Sequence, residues 1–177
     1  TTVAYAAVTQ SGLSFDRQLW MRPEIIPGLR KLTDAIHAEG AAAGIQLGHC
    51  GNMSHKSICG CTPVGASSGF NLYSPTFVRG LRAGELPEMA RAYGKAVNLA
   101  REAGFDAVEI HAGHGYLISQ FLSPSTNHRK DEFGGSLENR MRFMDMVMDE
   151  VMKAAGSDMA VLVKMNLSLI HISEPTR

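Results

Sequence analysis

Two long segments of the sequence repeat apolar residues at intervals of three and four positions, the spacing of one face of an α-helix. The first carries Leu86, Met89, Ala90, Tyr93, Val97 and Ala100, and the second carries Leu137, Met141, Met144, Met148, Val151 and Ala155. A shorter segment, residues 27–39, places Leu29, Leu32 and Ile36 on one side. The pattern predicts three amphipathic helices, and the methionines of the last one are interpreted as pliable core residues.

Short, nearly continuous apolar runs lie between these helices and near the start of the chain, as is typical of parallel strands covered on both faces. They cover residues 3–8, 43–47, 107–110 and 160–165. A glycine that suits the left-handed position after a helix stands before three of the runs, at Gly40, Gly104 and Gly156. The alternation predicts an α/β fold, either an open doubly wound sheet or a (β/α)8 barrel. Because both G-x-G-x-x-G after a strand and G-x-x-x-x-G-K-[ST] are missing from the sequence, we favour the barrel.

Composition and charge narrow the classes of function. The 177 residues are 45% hydrophobic and 19% charged, with 17 Lys plus Arg against 17 Asp plus Glu. This composition excludes a disordered, collagen-like or disulfide-scaffold chain. Because the charges balance, the chain also has no excess of positive charge of the kind that nucleic-acid-binding proteins carry. No apolar run approaches the roughly 20 residues that span a bilayer. We therefore expect a small-molecule substrate, with no nucleic-acid and no membrane partner.

The three cysteines favour a reducing, cytoplasmic location over a secreted, cross-linked domain. Cys59 and Cys61 are separated by one glycine, and Cys50 precedes them in the sequence. Two thiols this close in sequence with one distant thiol make a poor tetrahedral metal site, so we expect free thiols and no metal.

Polar side chains follow the apolar run at the end of three predicted strands. Gln46 and His49 lie in QLGHCG, His111 and His114 lie in EIHAGHGYL, and Lys164 lies in VLVKMN. Because the carboxyl ends of parallel strands meet at one edge of a sheet, these side chains are expected to converge there. Residues 49–85 and 123–136 follow strands at the same edge and are predicted to be long functional loops.

The histidine pair admits three interpretations. His111 and His114 could hold a metal ion, although the glycines around them disfavour a helix that would point both imidazoles to one side. One histidine could simply cap a loop. Alternatively, both could donate hydrogen bonds to an anionic or carbonyl oxygen, with Tyr116 in reach of the same pocket.

One long segment of the sequence resembles a known protein family. The segment VEIHAGHGYLISQFLSPSTNHRKDEFGGSLENRMRF, residues 108–143, resembles the signature region of the Old Yellow Enzyme family of flavin-dependent ene-reductases. It is most similar to the branch with 2,4-dienoyl-CoA reductase and bile-acid-pathway oxidoreductases. QLGHCG and VLVKMN resemble two strand motifs of the same family, so the resemblance covers residues 3–166.

The resemblance implies a TIM barrel that holds FMN at its C-terminal mouth, with NADH or NADPH as the reductant and an activated C=C bond as the substrate. His111 and His114 match the pair that binds the substrate carbonyl oxygen, and Tyr116 matches the proton donor. Gln46 matches the amide that contacts the flavin pyrimidine edge, and Lys164 matches the cation near flavin N1 and O2. The polar residues of segment 127–140 are interpreted as a scaffold for the loop, with Ser136 as a helix N-cap.

A complete barrel needs about 250 residues. We therefore expect residues 1–166 to be a fragment of an FMN-binding barrel, about units 2 to 5, and residues 167–177 to be an adapter-like, non-native tail. An iron–sulfur cluster is then conceivable only in a missing C-terminal part, and a homo-oligomer of the parent protein is compatible with the sequence. Two alternatives stay open: a metal-dependent barrel hydrolase using the two histidines and Glu109, and an inactive truncated half barrel.

Overall fold

The computed structural model describes residues 1–72 and 75–166. In these residues the strands are β1 (Thr2–Ala7), β2 (Gly44–Gly48), β3 (Val64–Gly65), β4 (Gly69–Asn71), β5 (Thr76–Gly80), β6 (Ala107–Ala112) and β7 (Ala160–Met165). The α-helices are α1 (Ile26–Ala38), α2 (Lys56–Cys59), α3 (Leu86–Glu102), α4 (Leu117–Leu122) and α5 (Leu137–Ala155). The three amphipathic helices and four main strands predicted from the pattern are confirmed.

The main sheet is parallel throughout, with the order β1-β2-β6-β7. On one face, Ile45 and Leu47 of β2 and Val108 and Ile110 of β6 are completely buried in the hydrophobic core. Helices α1, α3 and α5 all contribute to this same core, and α3 packs along α5. A sheet with its helices on one face matches part of a barrel wall, whereas a doubly wound sheet carries helices on both faces.

The helix boundaries follow from local chemistry. Prolines lie in the first turn of α1 and of α3. Backbone N–H groups in a first turn have no acceptor within the helix, so the N–H that proline lacks costs no helical hydrogen bond. Ser136 caps α5 as predicted, since its side chain accepts a hydrogen bond from the backbone N–H of Asn139 at 3.3 Å. Gly104, after α3, has a φ of +85°, so a side chain there would force a strained backbone.

The stretch after β2 differs from the predicted long loop. It contains α2 and a small sheet with the order β3-β5-β4, which we call the insert sheet. Its strands have only two to five residues, too few to show a hydrophobic period. The expectation of an irregular loop across residues 49–85 was therefore wrong in its structure, although the segment does lie at the carboxyl end of β2.

Arg129 joins the insert sheet to the segment between α4 and α5. Its guanidinium donates to the carbonyl oxygens of Ala66, at 2.9 Å, and Leu81, and its Nε donates to Asp131 at 2.9 Å. The Arg129 side chain is only 8% exposed. The predicted polar scaffold of segment 127–140 is thus confirmed, except that Glu132 is exposed and makes none of these contacts.

Strand β7 lies at one edge of the described sheet and leaves apolar side chains uncovered. Leu162, Val163 and Met165 are 49%, 38% and 39% exposed. None of the helices in the two described ranges is long and apolar enough to cross a membrane. The predicted tail, residues 167–177, lies outside the described residues.

Candidate active site

The site lies on the sheet face that the helices leave open. Side chains alternate along a strand, so Gln46, Glu109 and His111 point away from the core that holds Leu47 and Ile110. Gln46 is in register with Glu109, and His111 is in register with Lys164. The register therefore brings the predicted strand-end residues into two successive rows across three neighbouring strands.

His111 and His114 contact each other directly. The Nε2 atom of His111 lies 3.1 Å from the Nδ1 atom of His114, and the two rings are nearly perpendicular, at 86°. His111 Nδ1 accepts a hydrogen bond from the Gly113 N–H at 3.3 Å, which assigns the ring proton to Nε2. His111 therefore donates to His114, and His114 keeps its Nε2–H as an outward donor.

The backbone around His114 is held in an uncommon conformation. His114 has a φ of +56°, in the left-handed region that non-glycine residues seldom occupy. Its N–H lies 3.4 Å from Oδ1 of Asn166, which follows β7. A Cβ at Gly113 would come within 2.6 Å of the same oxygen, so a side chain there would displace the Asn166 amide from His114. Observed strain of this kind concentrates at functional sites.

The imidazole of His111 is kept neutral. Burial, followed by the neighbouring His114 and Lys164, lowers the pKa of His111 to about 4, against a smaller opposing effect of Glu109. At neutral pH the ring is therefore an uncharged donor, available for hydrogen bonding to an oxygen on which negative charge develops.

Two tyrosines complete an aromatic cluster around His111. The ring of Tyr116 lies 4.8 Å from that of His111, and the ring of Tyr5, from β1, lies 5.3 Å from Tyr116 and 5.8 Å from His111. The Tyr5 hydroxyl donates to the Gly12 carbonyl and contacts Ser14 Oγ, both at 3.2 Å. Burial raises the pKa of Tyr5 well above its usual range. Sequence reasoning missed Tyr5 because it counted among the apolar positions of its strand.

The row below the histidines holds Gln46 and Glu109. Gln46 is buried, and its Nε2 donates to Oε1 of Glu109. The Gln46 amide carbonyl stays available as an acceptor, while Lys164 is exposed at the same edge of the sheet. The part of the chain that the structure describes holds no group of three or more side chains placed to bind a metal ion.

His49 lies beneath the site rather than in it. Its Nδ1 accepts from the Gly51 N–H at 2.9 Å, and its Nε2 contacts Ser11 Oγ at 3.0 Å. Burial lowers the pKa of His49 to about 3. The expectation that His49 converges with the exposed strand-end groups is therefore wrong, because its ring packs under the Gly12 turn, where a Cβ would approach within 2.9 Å of it.

Gln120 of α4 links the two strand ends. Its buried amide donates to the Gly115 carbonyl at 2.7 Å and to Asn52 Oδ1 at 2.9 Å. These bonds fix the turn that carries His114 and Tyr116. Nothing in the sequence pattern distinguishes Gln120, because all six residues of α4 are buried and the helix has no polar face.

A cleft of about 450 Å³ opens beside the histidine pair. Its walls include Asn52, Met53, Phe70, Leu72, His114 and Thr126. The cleft therefore connects the site to the insert sheet, whose strands β4 and β5 place Phe70 and Phe77 in edge-to-face contact at 5.2 Å.

The parallel sheet forms part of a barrel wall, and histidine and tyrosine donors lie at the carboxyl ends of its strands. This arrangement is typical of a (β/α)8-barrel protein with a small-molecule site at its mouth. The chain belongs to the NADH:flavin oxidoreductase / NADH oxidase family, whose sequence profile matches residues 2–176. The predicted family and the predicted partial barrel are confirmed. Membership in this family also supports the predicted flavin cofactor and nicotinamide reductant.

Individual relatives agree with this family. The chain is 40% identical over 168 residues to 4,4'-dithiodibutanoate disulfide reductase of Rhodococcus erythropolis, a match that covers 95% of this chain and 42% of the relative. It is 41% identical over 150 residues to NADPH dehydrogenase of Bacillus subtilis, covering 84% of this chain and 44% of the relative. The chain thus spans less than half the length of these two relatives.

Solved structures give the same result. The old yellow enzyme homologue from Zymomonas mobilis superposes with a TM-score of 0.87 at 33% identity, over 93% of this chain and 49% of that one. Morphinone reductase in complex with tetrahydroNAD superposes with a TM-score of 0.88 at 29% identity, over 93% and 50% of the two chains.

Proposed function

We propose that the protein containing this chain is an FMN-dependent oxidoreductase that uses NADH or NADPH to reduce activated C=C bonds in enones, enoates or dienoyl-CoA thioesters. The observation that carries the proposal is the His111–His114 pair, with a neutral His111, beside Tyr116 at the carboxyl ends of parallel strands. The relatives support it, since one is an NADPH dehydrogenase and one solved structure is a morphinone reductase. Three free thiols also fit a cytoplasmic location.

The residues present fit FMN. A flavin pyrimidine edge alternates hydrogen-bond donors and acceptors, and the buried Gln46 amide offers both kinds of group on the open face of the sheet. Lys164 adds a positive charge one row closer to the barrel mouth. FMN bound there would supply the hydride chemistry, with electrons taken from the nicotinamide.

The histidines would bind and polarise the substrate. A carbonyl oxygen that accepts a hydrogen bond from His114 Nε2 gains negative charge during reduction, and a donor aimed at that charge stabilises the transition state. His111 donates to His114 and orients it, and a small ring rotation would let His111 donate to the same oxygen. Because His111 is neutral, its Nε2–H can donate to this oxygen without placing a positive charge in the buried site.

Tyr116 would protonate the substrate carbon. Its ring is half-buried and lies against His111. The phenolic O–H of a tyrosine is a hydrogen-bond donor that can act as a general acid. Tyr5 would hold the Tyr116 ring in place, since its own hydroxyl is tied to the Gly12 turn.

The metal-hydrolase alternative gains no support from the geometry. It needs Glu109 as a third ligand beside the histidines, but Glu109 lies one row lower and accepts from Gln46. The His111 Nδ1 atom is likewise occupied by the Gly113 N–H.

The decisive experiment separates the two half-reactions of the full-length protein. With Tyr116→Phe, flavin reduction by NAD(P)H should stay within about twofold of wild type, whereas alkene reduction should slow by about 100-fold or more, the usual contribution of a positioned general acid. Tyr93→Phe is the matched control, because the Tyr93 hydroxyl is buried in α3 and has no hydrogen-bond partner among the described residues. Protein that binds no FMN, or an alkene step unaffected by Tyr116→Phe, would refute the proposal.

A further inference from the structure

A pair of thiols lies outside the candidate active site. Cys59 is the last residue of α2, Gly60 adopts the left-handed conformation with φ +72°, and Cys61 follows. This turn brings the two sulfur atoms to within 3.6 Å of each other. Cys59 is buried and Cys61 is exposed, so one thiol is open to solution and the other stands directly behind it.

We propose that Cys59 and Cys61 form a reversible dithiol–disulfide site that reacts with small, uncharged organic disulfides. The sulfurs already touch, and a disulfide bond of about 2.05 Å requires them to approach by about 1.5 Å more. The linking Gly60 has no Cβ, and a Cβ placed there would meet only the Gln10 side chain, at 3.4 Å. The turn therefore has room to adjust when the bond forms.

The reaction balances as two exchanges. The Cys61 thiolate attacks one sulfur of an external disulfide R–S–S–R, forms a mixed disulfide and releases one RSH after protonation. The Cys59 thiol, having lost its proton, then attacks the Cys61 sulfur of the mixed disulfide and releases the second RSH. The chain is oxidised by two electrons, the external disulfide is reduced to two thiols, and the two thiol protons are transferred to the products.

A cavity gives the external disulfide access to Cys61. It has a volume of about 630 Å³, and Val64, Leu81 and Met89 form apolar parts of its wall. The Arg79 guanidinium in this wall is neutralised by Glu85, at 2.7 and 3.0 Å. The compensated charge and the apolar wall favour an uncharged reagent over an anionic one.

The same features make the bond easy to reverse. A disulfide that closes a loop of only three residues gains little stability from restricting the unfolded chain. Disulfides that are exposed or strained are also the ones that reductants reopen most readily. Cys61 is exposed, so a small thiol can attack the closed form from solution.

The third cysteine belongs to a different environment. Cys50 is buried, its Sγ donates to the Leu13 carbonyl at 3.2 Å, and burial raises its pKa to about 12. For Cys61, burial and the hydrogen bond with Cys59 raise the pKa to about 11, against a smaller opposing effect of Arg79. The thiolate fraction of Cys61 consequently rises about tenfold per pH unit up to that value, so the exchange is best followed at pH 9.

The test treats the purified chain with a dipyridyl disulfide, whose thiopyridone product is coloured. Wild type should release two thiopyridones in sequence and end without an adduct, two mass units lighter, and a thiol reductant should restore the original mass. Cys59→Ser should release one thiopyridone and retain one pyridyl adduct. Cys50→Ser is the matched control and should behave as wild type.

Two outcomes would overturn the proposal. In one, wild type keeps a stable pyridyl adduct on Cys61, which would show that Cys59 does not attack it. In the other, Cys50→Ser abolishes the adduct-free product, which would show that Cys50 supplies the second thiol.

Discussion

Acidification should destabilise the protein through His49, which is completely enclosed at the end of β2. The ring is held between the Gly51 N–H and Ser11 Oγ, and burial lowers its pKa from 6.5 to about 3. The unfolded chain therefore binds a proton more readily than the folded one. The stabilisation is complete above about pH 6.5 and is progressively lost as the pH falls toward about 3.

The size of the effect follows from these two pKa values. Between pH 7 and pH 5, the unfolded His49 becomes protonated while the folded one stays neutral, which lowers the free energy of unfolding by about 2 kcal/mol. The result depends little on the exact folded value, provided that it lies below about 4. His111, whose pKa is lowered to about 4 by burial, His114 and Lys164, adds a similar amount in the same interval.

The assay compares urea unfolding at pH 7 and pH 5 in wild type and in His49→Gln. Wild type should lose about 4 kcal/mol over this interval from the two histidines together, and the variant about 2 kcal/mol. His128→Gln is the control, because His128 is exposed and contacts Ser67 through its backbone N–H, which the substitution retains. An NMR titration of the His49 ring in wild type gives a second, direct measurement. A His49 pKa above 5, or the same pH dependence in wild type and His49→Gln, would contradict the reasoning.

Two further substitutions probe the core and the insert sheet. Arg129→Met should lower the free energy of unfolding by about 3 kcal/mol, because two buried carbonyl oxygens lose their donor; a loss below about 1 kcal/mol in urea unfolding would show that the insert does not depend on this contact. Phe143→Ala should cost about 3 to 5 kcal/mol, because the ring is fully buried and packs 4.5 Å from a second phenylalanine. Its control, Met152→Ala in the same helix, should change stability by less than about 0.5 kcal/mol, since Met152 is 52% exposed.

The main sheet and its helices could be predicted because their patterns are long. Helix α5 repeats its apolar face over 19 residues, and β6 is a mostly apolar strand that begins shortly after Gly104, a glycine with positive φ. The insert sheet could not be predicted, since β3 has two residues and β4 has three. Their pairing depends on contacts such as Arg129 to Ala66, which are far apart in the chain.

Within the candidate site, predictability depended on whether a side chain differs from its local pattern. His111 and His114 stand out after an apolar strand, and the structure places them in contact. Tyr5 stands among apolar residues of β1 and Gln120 lies in a fully buried helix, and their roles come from partners in other elements. A polar-tipped side chain at an inward position of β1 was the one available signal for Tyr5.

Burial gives the site its neutral donor and also limits the pH range in which the fold is stable. His111 stays uncharged because it is enclosed by Tyr5 and Tyr116 and lies near His114 and Lys164. The same enclosure makes its protonation costly, so acid that would charge the ring also favours the unfolded chain. Loss of ligand binding and loss of folding should therefore fall in one pH interval in wild type. A variant stabilised elsewhere would extend the folded range downward without shifting the His111 pKa, which would leave a folded protein whose His111 ring is protonated.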